Sequence, residues 1–219
     1  MSRMGDLVHM HAKLRSLAAG VGAVALLLGS ISCGDVARQG RAPTQLVIDT
    51  MTGASGAEPQ VFGGFLNSDV QTLVEQTIDG QTVRVPTIYN DIGRASLRLV
   101  MKDQSGPPTP SALNAVTLNR YRIAYIRSDG RNVPGVDVPF GVEGGLTATI
   151  LGAPTQVSFE MVRHQAKLEQ PLRALVNNGG RVFISTVAEV TFYGTDLAGN
   201  DIQAVGTLSV SFSDYGDPQ

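Results

Sequence analysis

The chain has 219 residues, with 17 Lys and Arg against 19 Asp and Glu, a formal charge of −2, and a single cysteine. An acidic balance excludes a general nucleic-acid binder, which needs a basic footprint, and one cysteine excludes any disulfide within the chain. With 25 Gly, 11 Pro and no Trp, the composition suits a turn-rich, all-β domain.

Arg3, Lys13 and Arg15 charge the first segment, and the run from Leu17 to Leu28 carries no charge at all. That run is too short for the ~20 apolar residues a bilayer-spanning helix needs, and after a basic segment it reads as an export signal. Ser30 and Ser32 put small residues just before Cys33 in LLLGSISCGD. The arrangement resembles the lipobox of bacterial lipoproteins, with Ser30 standing where leucine is usual. The resemblance implies that residues 1–32 are a signal peptide removed by cleavage. It also implies that Cys33 is the lipid attachment site, acylated on its sulfur and on its freed amino group. Two or more acyl chains would hold firmly, because each buried CH₂ contributes ~0.8 kcal/mol. The expected location is the cell envelope, anchored in a membrane and facing the periplasm or the exterior. Met4 and Met10 are alternative start residues that leave this reading unchanged.

Three of the 17 basic residues (Arg3, Lys13, Arg15) and one of the 19 acidic ones (Asp6) precede Cys33, which leaves 14 against 18 and a formal charge of −4. The remaining length suffices for one domain with a real core. Residues 33–43 are polar and aperiodic over most of their length and read as a lipidated tether, and 44–219 as a single domain.

The segment QLVIDT predicts a first strand over Gln45–Thr50. TGASGA around Ser55 has the wrong spacing for a nucleophile elbow, so Ser55 is read as a loop residue. Ser68–Thr77 admits two readings. Ser68 and Gln71 could form a capping box for a helix with Val70, Leu73, Val74 and Thr77 on one face. Alternatively the segment leads into the hairpin that Asp79-Gly80 marks between VEQTI and QTVRV. The turn signal is the sharper of the two and favours the strand. Further on, Ala95, Leu97, Leu99 and Met101 alternate with Ser96, Arg98 and Lys102, which predicts a half-buried strand. In NAVTLNRYRIAYI the apolar parity changes from Val116 and Leu118 to Tyr121, Ile123 and Tyr125, which predicts a β-bulge near Asn119 or Arg120. Leu146, Ala148 and Ile150, and then Val157, Phe159 and Met161, mark two more strands. His164 is the only histidine after Cys33; it sits at a strand exit and reads as a surface or capping residue. No Cys/His zinc site can be built, and no P-loop or dinucleotide fingerprint appears, so no cofactor is expected. Pro171–Asn177, ended by Asn178-Gly179, predicts a short helix crossing one end of the domain.

The strongest pattern closes the chain. In RVFISTVAEVTFYG, Val182, Ile184, Thr186, Ala188, Val190 and Phe192 share one face. In DIQAVGTLSVSFS, Ile202, Ala204, Gly206, Leu208, Val210 and Phe212 do the same. Gly199 and Asn200 tolerate a turn between them, so a long hairpin is expected, with Val190 and Phe192 inward opposite Leu208 and Val210. The residues Thr195, Asp196, Ala198, Gly199 and Asn200 resemble the last hairpin of bacterial Ig-like modules. The resemblance implies an Ig-like antiparallel β-sandwich, here of about 7–9 strands with one short helix, and implies nothing about a ligand.

Two further constellations bear on ligands. Asp196, Asn200 and Asp201, with Asp214 and Asp217 in the tail, offer hard oxygen donors for calcium, although Asx residues also explain such turns by bonding their own backbone. Arg94 and Arg98 on one strand, with Arg120 and Arg122 on another, would make a positive patch if the two strands share a sheet. The expectation is an exported, lipid-anchored interaction or structural module that meets an envelope protein or a polysaccharide, and not an enzyme. The competing expectation is a carbohydrate-active or other hydrolytic enzyme with two carboxylates in a cleft.

Overall fold

Alternation of apolar and polar residues governs the chain from Thr44 onward in the computed structural model, which describes residues 40–103, 105 and 109–215. Cys33, the signal segment, most of the tether and Asp217 lie outside the described residues. The strands are β1 (Thr44–Ala54), β2 (Phe65–Asp69), β3 (Thr72–Ile78), β4 (Gln81–Thr87) and β5 (Asp91–Met101). They continue with β6 (Val116–Ile126), β7 (Val142–Ile150), β8 (Thr155–Val162), β9 (Ile184–Asp196) and β10 (Asp201–Ser213). The protein is all-β, with short helical turns.

One sheet has the order β1–β5–β8 and a second the order β2–β10–β9–β6–β7, while β3 and β4 form a separate ribbon. Pairing is antiparallel throughout except between β10 and β2, which run parallel. The two large sheets pack face to face. Phe159 on β8 meets Tyr121 on β6 and Phe192 on β9, each with ring centroids 5.2 Å apart. Leu97 and Leu99 from the smaller sheet, and Ile123, Val190 and Phe212 from the larger, are fully buried between them.

Several sequence readings hold in detail. β6 shifts register between Leu118 and Arg120 against both of its neighbours, so the bulge falls at Asn119. Asp79 and Gly80 take positive φ of 52° and 76°, the paired left-handed turn that a two-residue hairpin requires. Ser68–Thr77 is strand, not helix, split between the end of β2 and most of β3. β1 reaches beyond the expected Gln45–Thr50, carrying its own irregularity between Ile48 and Thr50.

Other readings need correction. The ten strands among the described residues exceed the expected seven to nine, because β3 and β4 project as a ribbon whose alternation reports no burial in the main core. The expected single helix is a 3₁₀ turn, Leu172–Leu175, with Leu172 and Leu175 buried as its pattern required. It is joined by α1 (His164–Lys167) and by a 3₁₀ turn at Ala112–Asn114. In the terminal hairpin the inward face is as expected from Ile184 onward, but Val182 precedes the strand and is exposed. The pairing register also differs. The turn closes at Thr195 and Asp201, which sets Phe192 opposite Ala204 and Val190 opposite Gly206, while Leu208 faces Ala188 and Val210 faces Thr186. Ser211 and Ser213 alternate with that apolar face, which by period two alone would put them in water, yet both are buried. Tyr215 and the backbone at Val182 fold over them: Tyr215 Oη donates to Ser211 Oγ at 2.7 Å, and Ser213 Oγ donates to the Val182 carbonyl at 2.7 Å.

Candidate functional site

The registers define two ends of the strand stack. Thr44 faces Met101 and Val116 faces Asp196 at the end where β1 starts. At the opposite end Ala54 faces Ile92, Asp69 faces Ser213, Asp91 faces Val162 and Ile126 faces Val187. Connections 55–64, 127–141 and 163–183 and the β3–β4 ribbon all emerge at this far end. So do most of the exposed large apolar side chains, among them Val133, Val136 and Phe140 in the 127–141 loop, with Phe65, Ile78 and Phe183 on neighbouring segments. Loops of this kind, carried on a rigid sheet stack, are where binding residues concentrate.

The 127–141 loop is internally braced. Arg127 and Arg131 both donate to Asp129, at 2.6 and 2.9 Å, and Arg127's hydrogen bond above all holds the Asp129 carboxyl well below the usual carboxylate range. The Val133 backbone N–H donates to Asp137 Oδ2, and the Gly135 N–H donates to the Val138 carbonyl. Such bracing lowers the ordering entropy that binding would otherwise cost. Between this loop and the β6–β7 edge lies a groove of about 500 Å³ lined by Tyr125, Pro134, Val138 and Pro139, with Arg122 and Glu143 at its walls. A second cleft of about 300 Å³ is lined by Ser55, Glu58, Asn67, Asp69 and Tyr215. Two carboxylates thus border one cleft. Asp69 is held within the fold, accepting from Thr72 Oγ1 at 2.8 Å and from the Tyr215 N–H at 3.0 Å.

Beneath that end is a polar node that the sequence pattern gave no reason to expect. Asp91 and Lys167 are buried, at 0 % and 1 % exposure. Lys167 Nζ donates to Asp91 Oδ1 at 2.9 Å, the Gly56 N–H donates to the same oxygen at 2.9 Å, and the buried Ser68 hydroxyl donates to Oδ2 at 2.5 Å. Burial raises the Asp91 carboxyl above its ordinary value, opposed by the Lys167 charge and by the three donors. Nearby, Tyr125 Oη donates to the Met161 carbonyl at 2.6 Å, and burial pushes this phenol upward. Asp91 opens a strand and Lys167 closes a one-turn helix after another, so the pair are 76 residues apart with no motif to join them.

The residues singled out by sequence fall elsewhere. Cys33 lies outside the described residues. His164 is exposed, and its N–H donates to Asn90 Oδ1 at 2.9 Å with Nδ1 3.0 Å from the same oxygen, so it tethers α1 to the segment before β5. Ser55 sits in the loop after β1, as read. Asp196 caps the terminal turn, accepting from the N–H groups of Ala198 and Asn200 and from Asn200 Nδ2 at 2.8–2.9 Å. Asp214 lies at the other end of β10 and does not join the Asp196, Asn200 and Asp201 turn, and no group of three or more His, Cys, Asp or Glu side chains that could hold a metal occurs among the described residues. The arginine row also disperses. Arg94 and Arg98 are on β5 and Arg120 and Arg122 on β6, in different sheets. Each has a local partner: Arg94 stacks on Phe62 and Arg120 on Tyr193, while Arg98 pairs with Asp49 at 2.8 Å and Arg122 with Glu143 at 3.6 Å.

No protein-family model matches the chain, and neither does any curated protein or solved structure. No helix among the described residues is long and apolar enough to cross a membrane.

Proposed function

We propose that the chain is an exported protein anchored in the cell envelope by acyl chains on Cys33, whose Ig-like β-sandwich presents its far end to a partner protein. The concentration of exposed apolar side chains at the end opposite the start of β1 carries this reading, because scattered apolar residues need no explanation whereas a gathered set marks a contact surface. The strand order supports the fold half of it. The sequence β10–β9–β6–β7 against β1–β5–β8 corresponds to the G–F–C–C′ and A–B–E sheets of immunoglobulin domains, with the β3–β4 ribbon as an insertion before the B-like strand. Reach supports the orientation. Residues 33–43 extend to at most ~40 Å, and a strand the length of β10 adds ~44 Å, so the far end would stand well clear of the headgroups. The dispersal of the arginines favours a protein partner over an anionic polysaccharide.

The test has two parts. Labelled palmitate should enter the wild-type protein and partition it into detergent, and Cys33→Ala should abolish both. A photo-crosslinking side chain placed at Val136 or Phe140 in intact cells should give a discrete adduct, whereas one at Val205 on the outer face should not. Adducts of equal yield at all three positions would overturn the far-end assignment, and palmitate labelling that survives Cys33→Ala would overturn the anchor.

A further inference from the structure

The geometry points to a covalent amide between Lys167 Nζ and Asp91 Cγ, an internal cross-link that ties the turn after β8 to the start of β5. A buried lysine and a buried aspartate in direct contact are an expensive arrangement, because each charge has lost its water and the attraction between them only partly compensates. A neutral amide removes both charges at once. The position of the groups suits that chemistry. Nζ is hydrogen-bonded to Oδ1 at 2.9 Å, one bond from the carbon it would attack, and both side chains are held by buried backbone. Fixing reactants in this way replaces an encounter with a unimolecular step.

The two other donors fall where charge develops. The Gly56 N–H lies 2.9 Å from Oδ1, the oxygen that becomes the amide carbonyl and carries negative charge as the amine adds, so it acts as an oxyanion donor. Gly56 is needed there, since a Cβ would overlap the Asn90 carbonyl and Tyr89 Cβ. Ser68 Oγ lies 2.5 Å from Oδ2, the oxygen that must leave, and holds it while it is protonated. Starting from ammonium and carboxylate, the Nζ–Cγ bond forms and the Cγ–Oδ2 bond breaks. Two of the three ammonium protons depart with Oδ2 as one water, and the third stays on the amide nitrogen. No oxidant or other reactant is needed. The raised carboxyl of Asp91 assists, because a neutral acid accepts a nucleophile more readily than a carboxylate. With a single cysteine in the chain, such an amide would be a covalent brace that disulfides cannot supply.

The experiment is mass spectrometry of the purified full-length chain, denatured and digested with trypsin. The expected product is residues 85–94 joined to residues 164–173, lighter than the two peptides together by one water and uncut after Lys167. Lys167→Arg keeps the cation and its donors but cannot form this amide. It should release the two segments as separate peptides while its circular dichroism spectrum stays that of a folded β protein. Wild-type protein that yields free 85–94 and is cleaved quantitatively after Lys167 would overturn the inference, and so would a joined peptide that persists in Lys167→Arg. Because the readout is a bond inside the domain, its failure leaves the anchor and the far-end contact surface untouched.

Discussion

Phe192→Ala tests the packing of the two sheets most directly. The side chain is fully buried on β9, faces Ala204 on β10 and Tyr121 on β6, and meets the Phe159 ring of the opposite sheet edge-on at 5.2 Å. A buried aromatic removes 150–250 Å² from water, and at ~25 cal/mol per Å² that amounts to about 4–6 kcal/mol. Alanine retains a fraction of this, and the ring pairing adds ~0.5–1.5 kcal/mol. The expected loss is therefore ~3–5 kcal/mol, in line with Phe→Ala in other cores. Ordinary domains have ~5–15 kcal/mol in total, so the variant should unfold at much lower urea or be largely unfolded without it. Thr191, its neighbour, pairs with Arg122 and Val205 on the other face, and Thr191→Ala should cost no more than ~0.5 kcal/mol. Urea melts followed by circular dichroism read both. A harmless Phe192→Ala beside a severe Thr191→Ala would mean that β9 faces the other way and would refute the packing described.

Gly199 has φ of 81° with open space around it, so Gly199→Val should cost ~1–3 kcal/mol from backbone strain alone, seen as a lower urea midpoint. At Asp196 burial pushes the carboxyl up, but hydrogen bonds from Asn200, Ala198 and Gly199 outweigh it and leave it below its ordinary value. A carboxyl lowered by folding contributes stability that is present above its unfolded value and lost as pH falls through its folded one. Wild type should therefore lose more stability than Asp196→Ala between neutral pH and the acid side of the carboxylate range, and parallel pH profiles would contradict this. Thr72 and Thr87 are cross-strand partners at the base of the ribbon, so replacing residues 73–86 with a short Gly-Ser turn should leave the melting transition of the rest intact. A collapse of that transition would show that the ribbon is part of the core.

The β pattern was legible wherever one face of a strand is buried and the other wet. The hairpin of β9 and β10, the parity change at Asn119 and the Asp79-Gly80 turn were all readable because each is a local signal with a local cause. The node around Asp91 was not. Neither Asp91 nor Lys167 belongs to a motif or an apolar period, and only the folding of β5 against β2 and α1 brings them together and removes both from water. The arginines misled in the opposite sense, because period two places Arg94 and Arg98 on one face but says nothing about which sheet that face belongs to. Register in the last hairpin was also out of reach, since it depends on where the turn closes and not on which residues are apolar.

The parallel pairing of β2 with β10 sets an order of events for the newborn chain. Leu66 finds its partner only in Val210, a residue synthesised after almost everything else. Until then β2 has no edge to join, and β9, paired with β6 on one side, has an open edge on the other. Non-local pairing of this kind is slow to nucleate. For the exported chain proposed above, that delay would leave β2 unpaired until the last strand has followed it across the membrane.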